Sequence, residues 1–173
     1  MKIIHEGVLN MEPGLSLSQL IKKGEYDSVH GFYNSVGYFD YSILDRNVPF
    51  CIISEETYPM LLRYDYVLNL CAKEGFLPGD LLHLLMFREI MKKGNFISEF
   101  EDFDVLALGT IIKIPYPLNP RIISTKRGVE LGLYSKGDHY DKSTLFLAVK
   151  QNRNSFNFSM QQKSLPPYIK WRV

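Results

Sequence analysis

The sequence predicts an α+β fold: a central helical hairpin, about residues 58–94, packed against a mostly antiparallel sheet formed largely by the C-terminal third. Three observations lead there. Tyr58–Gly94 contains two stretches with apolar residues at helical spacing, separated only by Gly75-Phe76-Leu77-Pro78-Gly79. From Val105, a long apolar run rich in β-branched residues (Val105–Ile114) is followed by further strand-like runs, with turn signals at Lys126-Arg127-Gly128, Lys136-Gly137-Asp138 and Pro166-Pro167. Helices before strands, rather than a regular alternation, is the order of an α+β chain.

Length and composition set the frame. The chain has 173 residues, 46% hydrophobic and 23% charged, which suits a folded protein and not a disordered one. One compact domain over residues 1–173 is expected. It divides by charge. Residues 1–112 hold nine Lys and Arg against sixteen Asp and Glu, a net −7, and residues 113–173 hold eleven against three, a net +8. An acidic, helix-containing part (1–104) and a basic, strand-rich part (105–173) follow from this. The two can pair within one fold or between chains, or the basic part can meet an anionic partner.

In chain order, Lys2–Leu9 reads as an opening strand with Gly7 as a bend or bulge. Ser16 is placed to cap a short helix carrying Leu17, Leu20 and Ile21, which Gly24 ends. Glu25–Asn47 alternates aromatic and small polar residues around Gly31 and Gly37, and suits irregular strands or a long ordered loop. Val48–Ile53, with Pro49, is a short edge or buried strand. Pro59 fits the first position of a helix whose apolar face holds Met60, Leu61, Tyr64, Val67, Leu68 and Cys71. Asp80 is a good N-cap for a second helix, Asp80–Lys93, which is apolar nearly all round and must be covered on most sides. Val105–Ile114, Arg121–Thr125, Val129–Tyr134, Thr144–Lys150 and Tyr168–Val173 are the expected strands; Gln151–Lys163 reads as a weak strand or a loop.

Cys51 and Cys71 sit among apolar neighbours and read as reduced core residues. The N-terminus has charge too early for a signal peptide, and no stretch reaches the length of a membrane span, so a cytoplasmic chain with no membrane association is expected. Walker A, Gly-x-Gly-x-x-Gly, His-Glu-x-x-His, Gly-x-Ser-x-Gly and paired Cys-x-x-Cys motifs are all missing, and no cofactor or metal is expected.

The candidates for chemistry are therefore few. His83 falls on the apolar face of its helix, beside Leu84, Met86 and Phe87, where it is either a satisfied core histidine or a general base at the floor of a cleft. Asp138, His139 and Asp141 form the densest set of ligand-type residues, yet Asp and Gly are also what a turn between strands requires. Glu99, Glu101, Asp102 and Asp104 make an acidic run, either solvated or docked on the basic part.

The candidate binding surface is a basic, aromatic sheet: Arg121, Lys126, Arg127, Lys150, Arg153, Phe156, Phe158, Lys170, Trp171 and Arg172. A non-enzymatic interaction protein that binds a protein partner there is the leading expectation, with homo-oligomer formation open. RNA or DNA binding through the same surface is the alternative. An enzyme of another type, such as a hydrolase using His83 or Asp138, His139 and Asp141, is the third.

Overall fold

The computed structural model of the chain describes residues 2–10, 12, 14–35, 47–54, 63–94, 97–114, 116–135, 140, 143–150 and 169–171. Ten strand segments join in one mixed, mostly antiparallel sheet: β1 (Lys2–Asn10), β2 (Ser28–Val29), β3 (Asn47–Ser54), β4 (Phe76–Pro78), β5 (Asp104–Leu106), β6 (Thr110–Ile114), β7 (Tyr116–Thr125), β8 (Gly128–Ser135), β9 (Thr144–Lys150) and β10 (Ile169–Trp171). The helices are α1 (Leu17–Gly24), the single turn α2 (Phe32–Ser35), α3 (Tyr64–Lys73) and α4 (Leu81–Gly94). The α+β class holds.

β9 is the spine of the sheet. Every residue from Thr144 to Val149 is buried, so it reads as a continuous apolar run and not as an alternating one. It pairs antiparallel with β3 on one side. On the other side β5 runs parallel to it at Thr144–Phe146, and β4 continues antiparallel at Ala148–Lys150. β5 leads to β7, which pairs with β8 over eight register positions from Leu118↔Ser135 to Thr125↔Gly128. β1 flanks β3, β10 flanks β6, and the two-residue β2 runs parallel to β8.

Alternating side chains send the two faces of this sheet into two cores. On one face α4 and α1 cover Phe50, Ile52, Val105, Ile122, Leu145, Leu147 and Val149. On the other, α3 supplies Tyr64, Val67 and Cys71 to a cluster with Cys51, Ile53, Leu106, Tyr140, Phe146 and Ala148. A helical hairpin over residues 58–94 is accordingly not confirmed: the buried residues of α3 and α4 belong to different clusters. The physical reason is the connection. Residues 76–78, expected as a plain break, form β4 and put a strand of the sheet between the two helices. The sheet also draws on more than the C-terminal third, since β1, β3, β4 and β5 come from the acidic part.

α4 shows why its sequence is apolar all round. Leu81, Leu82, Leu84, Leu85, Met86, Phe87 and Met91 are buried, and Phe87 meets Phe50 and Phe100 edge-on at 5.4 and 5.5 Å. α1 begins as expected with a reciprocal capping box: the Gln19 amide N–H donates to Ser16 Oγ at 3.2 Å and the Ser16 N–H to Gln19 Oε1 at 2.7 Å. Its left-handed terminal residue is Glu25 (φ 48°), while Gly24 stays helical and leaves room for the Tyr26 ring, 2.3 Å from where its Cβ would lie. The β1 bulge falls between Ile3 and His5 and not at Gly7, whose missing side chain makes room for the Phe50 ring. Val105–Ile114 is two strands: the Ala107 N–H still donates to the Pro120 carbonyl at 3.0 Å, and the chain then turns so that the Gly109 N–H meets Gly79 O at 2.9 Å. The Pro59 helix start and the strand or loop over Gln151–Lys163 lie outside the described residues.

Candidate functional site

Three polar groupings stand against the two cores, and each is built by a different element. The first is the start of α4. Asp80 is its N-cap: the carboxylate Oδ1 accepts the His83 backbone N–H at 3.0 Å. The His83 ring turns back to the cap, with Nδ1 2.7 Å from Asp80 Oδ1, to which it donates when protonated, and 3.3 Å from the Asp80 backbone nitrogen. Burial pushes the Asp80 carboxyl up, but His83 and the backbone N–H groups of His83 and Leu82 outweigh it and hold the carboxyl below its usual range. Among the described residues no hydroxyl or thiol is bonded to the ring. His83 occupies N3, the position of the Glu or Gln in a capping box, but its ring serves the cap carboxylate.

The second grouping lies on β7 beneath the α3 face. Arg121 Nη1 donates to Asp104 Oδ2 at 2.6 Å, and its guanidinium covers the Tyr134 ring at 5.2 Å. The acidic run thus reaches the basic part through Asp104. Tyr134 stacks at 5.7 Å on Tyr140, which meets Phe146 at 5.1 Å. Burial first, then Tyr64, Tyr134 and Asp65, drive the Tyr140 phenol well above the ordinary tyrosine range. Tyr140 stands between Asp138, His139 and Asp141, which lie outside the described residues.

The third was not anticipated from sequence. Arg88, on α4, carries a charge yet is only 4% exposed. Its Nη2 donates to the Glu25 carbonyl at 3.2 Å, and its carbon Cζ lies 5.7 Å from the Tyr26 ring centre. Arg88 Nε and Nη1 and the Tyr26 hydroxyl are buried with no hydrogen-bond partner among the described residues. The nearby carboxylates are engaged elsewhere. Glu25 pairs with Lys92 at 2.5 Å, Asp27 accepts the Val129 N–H at 2.7 Å, and Glu89 meets Lys93 at 2.6 Å and Lys23 at 3.3 Å. The only sequence signal was a positive charge at a position that helix packing turns inward.

The remaining predicted binding residues do not converge where they are described. Lys126 and Arg127 are exposed on the β7–β8 turn, and Lys150 is exposed at the end of β9. Asp104 faces Ile123 on one side and Thr144 on the other, with β7 and β9 running in opposite senses. The turn and Lys150 therefore lie at opposite ends of the sheet, about 30 Å apart along the strands. Lys170 and Trp171 sit opposite Ile111 and Thr110 in β10 by backbone register. Arg153, Phe156, Phe158 and Arg172 lie outside the described residues.

Cys51 and Cys71 are free and buried, as read from their neighbours. Burial, with Cys71 and Glu6 adding to it, pushes the Cys51 thiol up to about 12, and burial raises Cys71 to about 11. Among the described residues no three His, Cys, Asp or Glu side chains are grouped to hold a metal ion. No described helix is long and apolar enough to cross a membrane.

One surface feature completes the picture. β1 ends the strand order and pairs only with β3 among the described residues. Of its nine residues only Leu9 is buried, and Ile3, Ile4 and Val8 are 44, 41 and 47% exposed. Comparison with protein-family models, curated proteins and solved structures finds no match.

Proposed function

We propose that the protein is a non-enzymatic interaction protein and that it takes up an extended segment of a protein partner along the β1 edge. The observation that carries this reading is a nine-residue edge strand, about 30 Å long, with three large β-branched side chains turned to solvent. Unpaired backbone donors and acceptors supply the affinity in strand addition, and exposed side chains at alternate positions supply the selectivity. The bulge after Ile3 blunts one end, but from Glu6 to Asn10 the ladder is regular. The partner segment suited to this edge is extended and alternates apolar with polar residues, to meet Val8 on the α3 side of the sheet. The separation of Lys126 and Arg127 from Lys150, and the commitment of Arg121 to Asp104, favour this over a track for nucleic-acid phosphates.

Selecting displayed random peptides on the purified protein tests it. Enriched peptides are expected to alternate in polarity and to bind an Ile4→Lys/Val8→Lys double variant about tenfold more weakly or worse. Both positions are exposed, so the variant should fold. Binding should persist in a Lys126→Glu/Arg127→Glu variant. Failure to enrich any peptide, or equal binding to the β1 variant, would overturn the proposal.

A further inference from the structure

We infer that Arg88 and Tyr26 form a site for a small oxyanion, a phosphate or a carboxylate, beneath the segment Glu25–Ser28. The argument begins with charge. A guanidinium stays protonated in proteins, so Arg88 cannot escape burial by losing its proton. Taking such a cation out of water costs several kcal/mol unless an anion and full hydrogen bonding compensate. Arg88 is 4% exposed, and its one hydrogen bond goes to a neutral carbonyl, that of Glu25. Among the described residues it has no ion-pair partner.

The carboxylates that could have supplied one are held by other groups. Lys92 holds Glu25, the β8 backbone holds Asp27, and Lys23 and Lys93 share Glu89. Lys23 is further drawn to Glu12 at 2.7 Å. Glu25 and Asp27 attract the Arg88 guanidinium through space, but among the described residues neither carboxylate bonds to it. Beside it the Tyr26 hydroxyl is also buried and without a partner. Two unsatisfied polar side chains whose guanidinium and ring lie 5.7 Å apart are better explained by a shared ligand than by two separate defects. What remains open on Arg88 is donors, Nε–H and Nη1–H, with the phenol of Tyr26 able to donate beside them, and donors around a fixed positive charge select an oxyanion.

The site is ordered from several sides. α4 carries Arg88, the end of α1 brings Glu25 and Tyr26, and the Tyr26 ring packs on Gly24. Behind the ring, Tyr33 donates its hydroxyl to the Gly132 carbonyl at 3.1 Å. Glu25, Asp27 and Ser28 are exposed, so the arginine lies just under the surface and a small ion has a short way in.

Thermal unfolding of the full chain, with sodium phosphate or sodium acetate titrated at constant ionic strength against sodium chloride, tests the site. A saturable rise in Tm with phosphate alone assigns a phosphate group as the ligand, and a rise with acetate alone assigns a carboxylate. Tyr26→Phe loses one donor and no packing, so it should fold and bind the effective anion about tenfold more weakly. Arg88→Lys keeps the charge but not the planar donors, and should abolish the shift. No saturable shift with either anion, or an equal shift in wild type and both variants, would overturn the inference and leave bridging waters as the partners of Arg88.

Discussion

Replacing Gly109 by alanine tests the central reasoning about the fold, that the chain between β5 and β6 meets Pro78 and Gly79 backbone to backbone at Gly109. A Cβ at this position would lie 2.7 Å from the Pro78 carbonyl oxygen, 3.0 Å from the Gly79 oxygen and 3.1 Å from the Gly79 carbonyl carbon. Ordinary contact begins near ~3.4 Å, so the two segments must separate by roughly half an ångström or more. All three atoms are backbone and cannot swing away as a side chain would. Separation stretches the bond from the Gly109 N–H to Gly79 O, now 2.9 Å, and pulls on the bond from the Gly79 N–H to Leu147 O at 2.8 Å. It also disturbs the next residue, where Thr110 Oγ1 accepts the Leu81 N–H at 2.8 Å and Thr110 O accepts from Asn119 Nδ2 at 2.8 Å.

Overpacking of this kind costs about 1–3 kcal/mol. A weakened buried hydrogen bond adds about 1 kcal/mol. The smaller entropy of an unfolded alanine returns about 0.4–1 kcal/mol. The expected loss is about 2–3 kcal/mol, which at a urea m-value near ~2 kcal/mol/M moves the midpoint down by about 1 M. Gly31→Ala is the control, because nothing lies within 4 Å of a Cβ there and its φ is not in the left-handed region. It should change stability by less than ~0.5 kcal/mol. A Gly109→Ala midpoint within ~0.2 M of wild type, or an equal loss in Gly31→Ala, would refute the close-approach account.

Two further outcomes follow from the buried ionisable groups. Asp80 titrates below its unfolded value, so its contribution is complete above about pH 4 and drains away as pH falls through the folded value. Asp80→Asn keeps a capping oxygen without the charge; it should cost about 1 kcal/mol at neutral pH and flatten the acid limb of stability against pH. Acid limbs of equal slope in the two proteins would refute this. For the cysteines, thiols raised to about 12 and about 11 expose almost no thiolate near neutral pH. An aromatic disulfide reagent should therefore modify Cys51 and Cys71 no faster than the native protein opens, and immediate reaction in native buffer would contradict their placement.

Much of the local structure was legible in the sequence because short-range physics decides it. Ser16 and Gln19 fix the start of α1, Asp80 fixes that of α4, and the expected strands at Val129–Tyr134 and Thr144–Lys150 become β8 and β9 with little change. What misled was periodicity taken without a third dimension. Arg88 follows the polar face of an ideal helical wheel, yet α1 and the Glu25–Ser28 segment cover that face. His83 follows the apolar face, yet sits at the N3 position, where the Asp80 carboxylate of the cap draws its ring.

The sequence alone determined the class of the fold, the burial of α4 and both cysteines, and the pull between an acidic and a basic part that Asp104 and Arg121 express. These depend on composition, spacing of a few residues and charge. Only the tertiary structure decided that α3 and α4 cover opposite faces, that β1 is left at an edge with Ile3, Ile4 and Val8 in solvent, and that Arg88 is enclosed without a counter-ion. Each of those depends on which distant strand pairs with which. A three-residue segment such as Phe76–Pro78 carries no local signal for that choice, because its hydrogen-bond partners lie about 70 residues away in β9.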